Sequence, residues 1–154
     1  MELIELNKRL DFATNEKLTK KTDGYSELIQ ELGKRELNDN IKESINTETG
    51  NVNAFPGSEK DFAKILTKSQ NTILKLIEKE LKLVVKNHYR NLWLPLGMSA
   101  FGIPLGVAFG TALGNLAFLG LGLPIGMGIG IAVGTVMDSK AAKEGRQLDI
   151  DLTA

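Results

Sequence analysis

Apolar positions divide this chain into two regimes. From 92 to 137 run 46 residues without a formal charge, most of them apolar. That is more than twice the roughly 20 residues one helix needs to cross the hydrocarbon core of a bilayer. Two passes are therefore expected, with arms at about 92–115 and 119–138. The turn is placed at 115–121, where Asn115, Gly120 and Gly122 interrupt the helical pattern around Phe118. The alternative, a buried helix pair in a soluble protein, would ask a small domain to cover all of this apolar surface. Ahead of the block, Ser58 and Asp61 form a capping pair after a polar loop at 46–57, predicting a long helix from Glu59 that could run straight into the membrane. On a helical wheel Phe62, Ile65, Leu66, Ile73, Leu76, Ile77, Leu83 and Val84 share one sector. Leu28, Ile29, Leu32, Ile41 and Ile45 predict one or two earlier amphipathic helices, with breaks at Asp23-Gly24 and at Asn38, Asp39 and Asn40. Their apolar faces are expected to meet the 62–84 sector, within one chain as a bundle or between chains as a coiled-coil-like stalk.

The expected fold class is thus an all-α membrane protein, N-terminal amphipathic helices followed by a two-helix transmembrane hairpin. It divides into a helical region with a polar loop (1–57), a basic amphipathic juxtamembrane helix (58–91), the hairpin (92–138) and a polar tail, loose beyond a short helix end (139–154). Inside the hairpin the glycines are periodic. Gly102, Gly106, Gly110 and Gly114 recur every fourth residue, as do Gly122, Gly126, Gly130 and Gly134, with Pro104 and Pro124 in matching places. Residues 102–114 and 122–134 agree at 6 of 13 positions, a tandem repeat of period 20 whose copies run in opposite directions after the turn. Lipid tails are as apolar as leucine, so helices associate in bilayers by close contact, which small residues spaced by four permit. Folding about Phe118 sets Gly114 level with Gly122, Gly110 with Gly126, Gly106 with Gly130 and Gly102 with Gly134. Ala108 and Ala112, with Gly128 and Ala132 on the second arm, form another small-residue face turned away from that seam, and it predicts a homo-oligomer. Pro104 deprives the carbonyl of Ala100 of its donor and predicts a kink, whereas Pro124 could kink the second arm or begin it.

Charge sharpens the division. Residues 1–91 hold 31 of the 38 formal charges. Lys86 and Arg90 precede the first arm, Lys140, Lys143 and Arg146 follow the second, and the connecting loop has none, so the positive-inside rule puts both termini in the cytoplasm. Tyr89 and Trp93 stand at the entry to the first arm, where amphipathic rings favour the headgroup layer. The first ten residues contain Glu2, Glu5, Lys8 and Arg9 and no apolar core, so no secretory signal is expected there. Lys60, Lys64, Lys68, Lys75, Lys79, Lys82, Lys86 and Arg90 fall on one edge of the predicted helix, and residues 59–90 carry a net +4. Lys75, Lys79, Lys82, Lys86 and Arg90 would contact anionic headgroups, at about 1 kcal/mol per cation, or a protein partner. The competing reading is a solvated face.

Chemistry-bearing residues are few. The absence of cysteine and a lone histidine, His88, exclude disulfides, cysteine metal sites and a catalytic triad. Gly126, Gly128 and Gly130 mimic only part of a dinucleotide-binding turn. No enzyme, metal or cofactor is expected, and near-neutral charge without aromatic interleaving argues against nucleic acid.

The block LWLPLGMSAFGIPLGVAFGTALGNLAFLGLGLPIGMGIGIAVGTVMDSKAAKEGRQL resembles the bacterial glycine-zipper family of small membrane proteins, which pair Gly-xxx-Gly arms with a basic tail. The resemblance covers about 92–148 and implies a membrane hairpin, with a bacterial inner membrane as its expected place. It says nothing of residues 1–91. Two functions follow. One is a self-associating anchor that clusters a cytosolic helical module, which would bind a protein partner through residues 1–91. The other is an oligomeric pore in which Thr111, Asn115, Thr135 and the prolines would matter most.

Overall fold

The computed structural model describes residues 2–7 and 15–152. The chain forms two compact units, Met1–Val85 with Leu148–Ala154, and Lys86–Gln147. Among the described residues the structure is all-helical, without strands.

In the first unit three helices follow from three N-caps. Asn15 accepts from Leu18 N–H (3.2 Å) and opens α1, Glu16–Gly33. Asn38 accepts from Ile41 N–H (2.9 Å) and opens α2, Asp39–Asn53. Ser58 accepts from Asp61 N–H (3.4 Å) and opens α3 at Glu59, the start the capping pair predicts. Each helix also has an acidic residue in its first turn, which complements the helix dipole. Lys21 Nζ bonds Thr67 and Tyr25 bonds Ser69, so α1 and α3 run parallel with α2 packed against them. The result is a bundle within one chain. Leu28, Ile29, Leu32, Ile41, Ile45, Phe62, Leu66, Ile73 and Ile77 make its core. At the centre Tyr25 Oη lies 3.1 Å from Thr49 Oγ1 and 3.0 Å from Ser69 Oγ, one hydroxyl from each helix, all buried.

Several expectations change here. Asp23-Gly24 does not break α1; a Cβ on Gly24 would come 3.2 Å from Leu152, so the glycine makes room for the C-terminal segment. The polar loop shrinks from 46–57 to 54–58, because Asn46, Thr49 and Val52 are buried on α2. The long helix predicted over 58–91 ends at Leu81: Lys82 takes a left-handed conformation (φ 58°), and Leu83 N–H closes back onto the Ile77 carbonyl (3.2 Å). The tail is not loose either. Leu148 and Ile150 are buried, and Leu148 N–H donates to the Val84 carbonyl (2.8 Å).

The second unit is a helical hairpin. After Asn87, also left-handed (φ 58°), α4 spans His88–Gly97, a π-helical turn follows at Met98–Gly102, and α5 covers Ile103–Ala112. These form one helical stretch, His88–Ala112, which starts four residues before the arm read from the sequence. A short 3₁₀ turn, Leu116–Phe118, leads into α6, Leu119–Lys143. Both stretches are 25 residues long and apolar enough to cross a membrane. Pro104 is accommodated by widening: Ile103 N–H donates to the Met98 carbonyl five residues back, which gives the π turn just before the proline. Pro124 lies inside α6, five residues past its start, and does not begin it.

Candidate functional site

The seam of the hairpin is built from backbone against backbone. A Cβ on Gly122 would lie 2.6 Å from Gly106 Cα, and one on Gly126 would lie 2.6 Å from Gly102 Cα. One on Gly130 would meet Trp93 C at 2.9 Å, and one on Gly134 would meet Tyr89 O at 2.6 Å. A real Cβ does not come so near, so at these positions only glycine lets the helices approach. Gly97, Gly102, Gly106, Gly110, Gly122, Gly126, Gly130 and Gly134 are buried in helices whose other residues are mostly exposed.

The register differs from the level pairing drawn about Phe118. Leu119, the first residue of α6, already packs on Gly106, so Gly122 sits between Gly102 and Gly106, and Gly130 sits beside Trp93 and Leu94. Residues 107–112 therefore project beyond the start of α6, and residues 113–118 bring the chain back alongside. Gly114 is outside the seam: it is exposed, left-handed (φ 63°), and ends the helix. Gly97 takes part although it breaks the spacing of four, standing five residues before Gly102. The π turn absorbs the extra residue and returns Gly97 to the same face. That five-residue gap beside a proline was the sequence signal for it.

At the other end, Asp138 closes the hairpin. Its carboxylate is buried and accepts from Tyr89 N–H and Arg90 N–H, both at 3.0 Å. Asn87 gives α4 no side-chain cap, so an acid on α6 caps the N-terminus of α4 across the seam. A sequence reading that looks for caps next to a helix misses one supplied from 48 residues away. Just beyond, the Arg146 guanidinium bonded to Glu144 holds that carboxyl below the usual range.

The second small-residue face divides in this register: Ala108 and Ala112 lie in the projecting stretch 107–112, while Gly128 and Ala132 lie level with α4. Ala108, Ala112, Gly128 and Ala132 are exposed, and a Cβ on Gly128 would meet nothing within 4 Å. Two hydroxyls of the first apolar stretch turn onto their own helix: Ser99 Oγ donates to the Pro95 and Leu96 carbonyls, and Thr111 Oγ1 to those of Val107 and Ala108. Asn115 Oδ1 accepts from Ala117 N–H (2.9 Å) and shapes the turn.

The basic edge is not carried on one helix. Lys75 and Lys79 are exposed on α3, Lys82 caps its end, and Lys86 and Arg90 belong to the other unit. What α3 shares instead is a groove with α1 of about 700 Å³, lined by Lys21, Lys64, Lys68, Lys75, Thr67, Asn71 and Thr72 and by no carboxylate. Lys21 comes from α1, which a wheel of α3 alone could not show.

No protein-family model, curated protein or solved structure matches the chain.

Proposed function

We propose that the chain is an integral membrane protein that self-associates through two exposed small-residue pairs, Ala108 with Ala112 on the first arm and Gly128 with Ala132 on the second, and so anchors and clusters a helical module on the cytoplasmic side. One observation carries the membrane reading. Among the described residues every exposed large apolar side chain except Ile4 lies between Leu92 and Val136, and only 17% and 22% of the two most apolar windows are buried. A core helix of a soluble protein would be mostly covered, whereas a lipid-facing helix is open in this way. The topology follows from connectivity. Tyr89 and Asp138 lie at the same end of the hairpin, so both its ends open toward one side, and the sequence before and after it belongs to one unit. Lys86, Arg90, Lys140 and Lys143 flank that end and make it the cytoplasmic one.

The seam glycines are used inside the chain, so association draws on the four residues it leaves open. Alkaline carbonate washing of native membranes should leave the protein in the pellet, and release into the wash would overturn the membrane reading. Changing Ala108, Ala112, Gly128 and Ala132 together to leucine should abolish crosslinked oligomers in those membranes. Oligomers of unchanged yield would remove self-association and leave the anchor.

A further inference from the structure

The first unit grips an extended segment of its own chain in a way that does not depend on side-chain identity. Ile4 N–H donates to Asn46 Oδ1 (2.7 Å), and Asn46 Nδ2 donates to the Glu2 carbonyl (2.8 Å). The same pair of bonds recurs one step along: Asn7 N–H to Asn53 Oδ1 (2.8 Å), and Asn53 Nδ2 to the Glu5 carbonyl (2.9 Å). Each amide thus spans one carbonyl and the N–H two residues later. The asparagines are seven apart on α2, a rise of about 10.5 Å, and their targets are three apart in extended chain, about 10 Å. The two periods match, so α2 carries a ladder for extended backbone with a register of three.

The occupant has the same period. Residues 2–7 read Glu-Leu-Ile-Glu-Leu-Asn, a repeat of Glu-Leu-x. Leu6 is buried and Leu3 packs on the bundle core, while Glu2 and Glu5 line a cavity shared with Arg35 and Lys42. Backbone bonds therefore give the grip, the leucines pack on the core, and the acidic side chains line the same cavity as two basic ones.

We propose that this groove is an interaction surface for an extended Glu-Leu-x segment, and that its occupant between molecules is the N-terminus of a second copy of this chain. That segment is shown to fit, and nothing in the four amide bonds requires it to come from the same molecule. Seven residues, 8–14, join it to Asn15, a length that reaches at most about 25 Å. The exchange links helical modules directly and is independent of how the hairpins associate.

Two measurements on the full-length protein test this, using its lack of cysteine. First, a labelled peptide ELIELN is titrated onto protein carrying Ile4→Pro and Asn7→Pro, which lack the two donated N–H groups and so vacate the groove. Saturable binding is expected, at least tenfold weaker for the peptide N-methylated at the Ile and Asn amides; equal binding of both peptides, or none, overturns the ladder. Second, protein with Asn46→Leu, Asn53→Leu and Glu5→Cys is co-expressed with protein carrying Ile4→Pro, Asn7→Pro and Lys42→Cys. A short bis-maleimide can then join the two cysteines only across molecules. The crosslinked pair is expected at least fivefold above a control in which the second protein also carries Asn46→Leu and Asn53→Leu. A yield at the control level overturns the second copy as occupant.

Discussion

A single methyl group separates the two kinds of glycine in the hairpin. At Gly122 it would press on Gly106 Cα at 2.6 Å, backbone that cannot turn aside, whereas at Gly128 it meets nothing. Gly122→Ala should therefore weaken the folded hairpin by about 1–3 kcal/mol, the usual effect of overpacking. Gly128→Ala should be neutral or stabilising by up to about 1 kcal/mol, the helix-propensity difference. Titrating helical content with dodecyl sulfate compares them, and equal behaviour would sink the seam. Asp138→Ala removes the acceptor of two amides and should cost about 1–2 kcal/mol. Hydrogen exchange should show it as faster exchange at Tyr89 and Arg90. In the bundle, burial raises the Tyr25 phenol above its ordinary value near 10. A raised folded value means the stabilisation is full below the unfolded value and is lost as pH climbs through the folded one. Alkaline unfolding should therefore coincide with Tyr25 ionisation. At neutral pH Tyr25→Phe strands the Thr49 and Ser69 hydroxyls and should cost about 1–3 kcal/mol in urea.

At the scale of elements, each helix of the bundle starts from a local cause. Asp61, bonded to Lys64 and Ser58, is held below the usual carboxylate value. Its contribution at the start of α3 is thus present above the unfolded value and fades as acid passes the folded one. Ser58→Ala should fray the first turn of α3, seen as faster exchange at the Asp61 amide, with no change in α6. These short-range signals explain what was legible: the Ser58 cap, the Asn38 break and the buried Leu28, Ile29, Leu32, Ile41, Ile45, Phe62, Leu66, Ile73 and Ile77 follow from neighbours along the chain. What was not legible depends on distant partners. Asn46 and Asn53 read as loop formers until residues 2–7 supply their bonds, and Gly24 reads as a break until Leu152 covers it. Lys82 and Asn87 are left-handed without being glycine, so nothing in their types marks the end of α3 or the start of α4. The glycine periodicity was legible as a packing surface. Its register was not, because the length and path of the turn set it.

Over the whole molecule, the hairpin is inserted into the bundle's sequence, and the bundle closes only when the chain returns. Leu148 is fully buried, Ile150 nearly so, and Leu148 N–H completes the Val84 carbonyl. Truncating such a leucine leaves a cavity and typically costs about 2–5 kcal/mol, a large share of the few kcal/mol that hold a small domain together. The effect should be confined to the unit that buries it. Trp93 belongs to the other unit and reports on the hairpin alone, while loss of the Tyr25 environment reports on the bundle. In Leu148→Ala, unfolding in detergent should therefore split: the near-ultraviolet signal of Tyr25 should be lost at lower urea, with the Trp93 transition unchanged. A single shared shift would mean that residues 148–152 stabilise the hairpin as much as the bundle. The separation matters for the proposed anchor: on that reading a hairpin that stays folded while its bundle opens would keep the protein in the membrane with its ladder on α2 disassembled.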